Sequence, residues 1–408
     1  MSDNPLAVPK SWMLVLATGA MLAVSSFAQS TAPQEPLADL IGAAQKGNAL
    51  AQYKVGLRLR WSAEPEPAEA GKWFRKSAEQ GHSPAQRDLG MLFLGGQGIA
   101  QDFGEALKWF QKAAAQGDAT AQHQLSEMYV KGQGVPQDHA EAAKWCQKAA
   151  DQGYSLAQFS LGVKYGGGLG VPHDHGEAAK WYRKAADQGH PFAQMFLGAR
   201  FTSGLGVSQD YGEAAKWYGK AADQGLPDAQ FSLGLMYVQG QGVSQDYGEA
   251  AKWFRKAADQ GGAGAQSYLG LLYDKGQGVP QDYVEAARWY RKAADQGEAS
   301  AQVNLGLIYL QGKSIPQDYG EAAKWFRKAA DQGDASAQFK LAIRYEEGQG
   351  LPQDYVQAHM WFNLAASRAS AEQRKVFADS RDGIAAKMTT AQIAEAQRLA
   401  REWKPVSR

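Results

Sequence analysis

At 408 residues the chain has room for two or three globular domains or for one extended repeat array. Its 43 basic and 42 acidic side chains nearly cancel, and no run of Lys or Arg occurs, which excludes the basic footprint of a nucleic-acid binder. A single cysteine, Cys146, excludes an internal disulfide framework, so stability must come from packing.

In chain order, Lys10 precedes an apolar stretch from Trp12 to Val24, and Ser26-Phe27-Ala28 supplies small residues at positions −3 and −1. This is the three-part form of a secretory signal over residues 1–28, with cleavage expected before Gln29. The apolar stretch falls short of the roughly 20 residues a spanning helix needs. No stable transmembrane segment is therefore expected after cleavage, and the mature chain is expected in the periplasm or outside the cell. Residues 29–36 are expected to be disordered. Ala43-Ala44-Gln45-Lys46-Gly47 then reads as the end of a degenerate cap helix over 37–47.

From Trp73 to Trp361, nine tryptophans are spaced by exact steps of 36 residues. The glycine column Gly81, Gly117, Gly153 and onward to Gly333 keeps the same step, and so does the acidic column from Asp102 to Asp354. Each period predicts two helices. In the first, here helix A, Ala121, Leu125 and Tyr129 recur every four residues between Asp118 and Lys131, and Gly132-Gln133-Gly134 ends it. In the second, helix B, Asp138 is an N-cap with Glu141 three residues on in a capping-box arrangement. Ala142, Trp145, Cys146 and Ala149 form one apolar stripe, and Gly153 supplies the left-handed stop. Inside helix A one slot holds only Gly56, Gly90, Ser126, Gly162, Gly198, Gly234, Gly270, Gly306 or Ala342. An internal glycine costs roughly 1 kcal/mol, so this slot implies a close approach, expected to receive the tryptophan of helix B.

The pattern from Ala265-Gln266 through Trp289 to Gly297 resembles the Sel1-like repeat, a relative of the 34-residue tetratricopeptide repeat. The resemblance runs from about Ala51 to Ala366. It implies an all-α, right-handed solenoid of about nine helix pairs that acts as a protein-binding adaptor, with helix A on the concave face. The solenoid is expected over 37–369 and a C-terminal helical cap over 370–408. That cap should hold helices at about 371–388 and 390–403, with Thr389 and Gln392 forming a capping box.

No enzyme constellation is present: there is no G-x-x-x-x-G-K, H-E-x-x-H, G-x-S-x-G, S-x-x-K or K-T-G. The chain is therefore expected to be a non-catalytic scaffold without cofactor or metal. The alternative is a cell-envelope hydrolase of the β-lactamase-like Sel1 kind, whose paired cysteines this sequence lacks. Cys146 stands where other periods place Phe or Tyr and reads as a buried, inert residue. His139 and His175 share one register and read as packing residues rather than metal ligands.

The partner is expected to be a protein or peptide, bound by a monomer. Counting from the Gln of each Ala-Gln, positions 0, +3, +4 and +7 of helix A form the core stripe. Positions +2 and +9 lie nearly opposite at 100° per residue, and their residue types vary. Position +6 carries Lys164, Arg200 and Arg344 among apolar residues. Aromatic and Arg side chains are typical interface anchors, which selects Lys164, Phe196, Arg200 and Tyr268 as candidate protein-binding residues. The same variation is also what drift on a neutral face would produce.

Overall fold

The computed structural model describes residues 36–62 and 65–406, and within them it contains 21 helices and no strand. The expected leader over 1–28, and all but Pro36 of the stretch 29–36, lie outside the described residues. No helix among the described residues is long and apolar enough to cross a membrane. The chain forms an all-α solenoid of helix pairs and divides into two compact units, up to Lys220 and from Ala221.

The first unit opens with a short helix, Leu37–Gln45, and then alternates helices A and B from Ala49–Arg60 to Pro191–Ser203. The second alternates them from Pro227–Gln239 to Tyr355–Arg368 and closes with Ala371–Ala385 and Thr390–Glu402. The helix Tyr211–Asp223 contains the dividing point.

The ends of helix B follow from its sequence. Asp138 has extended backbone, and its Oδ1 accepts the backbone N–H groups of Ala140 and Glu141, both at 2.9 Å. Glu141 does not reach back to complete a capping box. Its Oε2 instead pairs with Lys144 Nζ at 2.9 Å, and the same i,i+3 pair recurs at Glu177–Lys180 and Glu249–Lys252. Thr389 and Gln392 do form the full reciprocal box. There Gln392 Oε1 accepts the Thr389 backbone N–H at 2.8 Å, and no lysine three residues on competes for it.

The close approach inside helix A is real, but its partner differs from the expected one. A Cβ built on any of the seven glycines in that slot would lie 2.6 to 3.1 Å from a ring of helix B. That ring belongs to the residue after the tryptophan: Phe254 lies on Gly234 and Tyr182 on Gly162. The tryptophan points the other way and joins successive periods, as Trp181 does against Cys146, Ala149 and Ala150 of the preceding helix B. Lys184 Nζ, one turn on, covers its ring at 3.8 Å.

A buried amide ladder adds a second connection between periods. Gln158 Nε2 donates to the Ala150 carbonyl at 3.2 Å, and its Oε1 accepts from Gln188 Nε2 at 2.7 Å. The second unit repeats this with Gln266, Ala258 and Gln296 at 3.1 and 2.8 Å. The Oε1 of Gln338 has no hydrogen-bond partner among the described residues, as expected where the ladder ends. The loops add a third connection. Gly170, at φ +75°, has its Cα so near helix His139–Asp151 that a Cβ would lie 1.8 Å from the His139 carbonyl oxygen. Only glycine fits such a crossing.

At the C-terminal end, Trp403 meets Trp361 edge to face at 6.0 Å, and Ile384, Ala396 and Ala400 join the core of the last periods. The last repeat therefore has a covered end.

Candidate protein-binding face

Helix A is buried further round its circumference than an isolated amphipathic helix would be. The +9 side chains are mostly exposed, as expected, but every +2 residue from Asp88 to Lys340 is half-buried. Successive helices A lean on one another, so +1 of one helix meets +2 of the next. Phe159 and Phe196 stand edge to face at 5.4 Å in this way, as do Phe231 and Tyr268 at 5.6 Å.

Phe196 and Arg200 are brought together by a third ring, Tyr182. Phe196 lies 5.4 Å from it between centroids, and the Arg200 guanidinium carbon 5.8 Å above it. Arg200 Nη1 donates to His175 Nδ1 at 3.2 Å. A guanidinium cannot accept, so the His175 proton must sit on Nε2. Burial, and then Arg200, hold His175 below its usual pKa, which keeps the ring neutral and able to accept. Gly166 makes room for this arrangement: a Cβ there would lie 3.0 Å from Arg200 Nη2. Most other helices A carry a larger residue at that position, such as Leu94, Val130 or Val238.

Phe159, His190 and Phe192 extend the aromatic patch. His190 stacks on Phe159 at 4.9 Å, and Phe192 stands 39% exposed beside them. None of these three was selected from the sequence. Their signal was available in the +1 slot and in the variable slot two residues before the Gln, where Phe192 follows Leu156 and precedes Asp228 in register.

Lys164 departs from the expectation of a surface residue. It is only 5% exposed, in the helix A that follows the helix B where Cys146 replaces the usual ring. Its charge reaches Cys146 and His123, while Glu127 nearby is paired with Lys131 at 3.5 Å. A four-carbon stem beside a missing ring packs inward because that covers apolar surface. Tyr268 belongs to the second unit, half-buried, with Phe254 at 5.3 Å and Phe231 as its edge-to-face partner. The four candidates therefore do not form a single patch: Phe196 and Arg200 share a surface, Lys164 is buried, and Tyr268 anchors a separate aromatic triad.

The polar groups nearest to a catalytic set are not poised for chemistry. Burial pushes the Cys146 thiol up to about 12, and its Sγ donates to the Ala157 carbonyl at 3.3 Å. A protonated thiol is a poor nucleophile. Burial also lowers His123 to about 4, so it is neutral at physiological pH. Among the described residues no group of three His, Cys, Asp or Glu side chains is placed to hold a metal ion. His173 and His175 approach at 4.3 Å, but Arg200 occupies the Nδ1 lone pair of His175.

The Sel1 repeat model matches nine consecutive segments from residues 49–82 to residues 335–370. Among solved structures, a Sel1 repeat protein from Oxalobacter formigenes is 33% identical, with a TM-score of 0.61, covering 84% of this chain and 97% of that one. The protective antigen c5321 of uropathogenic Escherichia coli strains, which displays an SLR fold, is 35% identical with a TM-score of 0.53. That match covers 91% of this chain and 94% of the antigen. No curated protein matches the chain. Nine consecutive repeats, seven of them helix pairs locked by a ring on a glycine, make this chain a member of the Sel1 repeat family.

Proposed function

We propose that this chain is a non-catalytic scaffold that holds a peptide or protein segment against its helix-A faces. Phe196 and Arg200 are the anchors in the first unit and Tyr268 in the second, while Lys164 adds positive charge beneath the surface. The observation that carries this reading is the pre-set pair Phe196–Arg200. Both side chains rest on Tyr182, and the guanidinium is already oriented by His175, so little side-chain entropy remains to be lost on binding. The protonated thiol of Cys146 and the neutral imidazole of His123 favour binding over turnover.

The decisive experiment is photo-crosslinking in cells from a benzoylphenylalanine placed at Phe192. A discrete protein adduct is expected, and Phe196→Ala combined with Arg200→Ala should remove it. An undiminished adduct in a folded double variant rules these anchors out. Turnover of any substrate by the purified chain, lost on a point substitution, would replace the scaffold reading with an enzymatic one.

An exported site of action is supported by the signal-like residues 1–28 and by the relative named as a protective antigen. Its test is the mass of the mature protein recovered from the envelope, expected to begin at Gln29. A monomer is expected from its mass in solution.

A further inference from the structure

In the second unit the turn before helix Ala263–Lys275 reads Gly261-Gly262-Ala263-Gly264. Two of these glycines are not demanded by the backbone. Gly262 has φ −61°, open to any residue, and Gly264 is not among the glycines with positive φ. The equivalent positions elsewhere carry side chains: His82, Tyr154 and Leu226 for Gly262, and Leu156, Phe192 and Asp228 for Gly264. Gly262 is the N-cap, where glycine is accepted, but Gly264 lies in the first helical turn, where glycine costs stability, so what Gly264 supplies is space. A Cβ on Gly264 would lie 3.3 Å from the Phe231 ring, and one on Gly262 3.1 Å from the Ala257 carbonyl oxygen.

The space is a cleft of about 170 Å³ bounded by Pro227, Phe231, Ala257, Gly262 and Gly264, with Asp228 at its edge. On the same measure a single water needs roughly 15 Å³, so the cleft takes a whole side chain. Its walls are apolar apart from Asp228, which has no ion pair among the described residues. Asp228 is exposed, and partial desolvation against the cleft wall raises its carboxyl above the usual range. A carboxylate without a counter-ion beside an aromatic ring suits a cation on an apolar stem. Phe231 is also the edge-to-face partner of Tyr268, so the cleft is continuous with the aromatic triad of this unit.

We infer that this cleft is a pocket for one lysine or arginine side chain of the bound segment, its stem lying on Phe231 and its cationic head on Asp228. The inference rests on the protein-binding reading and adds to it the chemistry of one recognised residue. The test is amide NMR of the full chain titrated with N-acetyl-lysine methylamide and, separately, with the uncharged N-acetyl-norleucine methylamide. Saturable shifts at Gly262 and Gly264 are expected with the lysine compound in the millimolar range, and at least tenfold weaker binding with norleucine. Asp228→Asn should remove that preference, and Gly264→Leu should remove the response to both. Gly264→Ser, carrying the residue found at Ser300 and Ser336, should weaken it while leaving the fold intact. The absence of saturable shifts, or an equal response to both compounds, overturns the assignment. This titration uses no protein partner, so its failure leaves the crosslinking result at Phe192 standing, and the converse also holds.

Discussion

Two adjacent repeats of the first unit use the same slots to opposite effect. In one, Tyr182 lies on Gly162, and the +6 cation of the next helix, Arg200, rides over the ring and bonds His175. In the repeat before it, Cys146 and Ser126 replace ring and glycine, the +6 cation Lys164 is buried, and His139 Nδ1 has no partner among the described residues. The tyrosine ring thus does two things. It locks the helix pair, and it is the floor on which the Arg200 guanidinium lies. Where Cys146 replaces it, Lys164 is only 5% exposed, but Arg344, with the Phe326 ring on Gly306 in the same slots, is 7% exposed, so the ring alone does not set a cation's exposure.

The largest way to break this contrast is to remove the floor. Tyr182→Ala should cost about 3–5 kcal/mol in urea unfolding, and it should weaken crosslinking at Phe192 as Phe196 and Arg200 lose the ring they rest on. A smaller but sizeable effect comes from pH. The buried His123 titrates at about 4 in the fold against 6.5 in a free chain. The unfolded chain therefore binds more protons between those values, and the stability this residue contributes above pH 6.5 is lost as pH falls towards 4. The loss should reach up to about 3 kcal/mol. His123→Gln should flatten that part of the profile, and an unchanged slope would show that His123 is not its source.

Restoring the ring sharpens the contrast. Cys146→Tyr alone should be destabilising by about 1–3 kcal/mol, because Ser126 now occupies the space beneath a ring. Adding Ser126→Gly should recover most of the loss and raise the reactivity of Lys164 towards amine reagents. Strictly additive effects would mean that the two positions are not coupled. The smallest expected effect separates the two cations. Lys164→Met, the residue of the sibling slots Met128 and Met236, should be neutral or stabilising by about 1 kcal/mol. Arg200→Met should instead cost about 1 kcal/mol through its bond to His175, and partner crosslinking with it.

Much of the architecture was legible because period and propensity agree. The Asp138 N-cap, the Gly132 and Gly153 stops, and the Thr389–Gln392 box all lie where their sequence signals are. Local chemistry decided these, with partners only a few residues away. The face was less legible. Placing +2 opposite the core stripe treats helix A as packed on one side only, whereas helices A also pack on one another, which half-buries Phe196 and Tyr268. Phe192, Phe159 and the cleft beside Asp228 escaped because each depends on a contact with the next repeat.

By itself, the sequence determined that this chain folds as repeated helix pairs, where each begins and ends, and that a small residue in helix A must face something large. Repetition makes such signals redundant, and each is written within one period. Only the tertiary structure decided what the large partner is, since Trp181 and Tyr182 are neighbours in sequence but point to different helices. It likewise decided what each +6 cation meets, because Cys146 and Tyr182, 18 residues before Lys164 and Arg200, are brought close to them only by stacking.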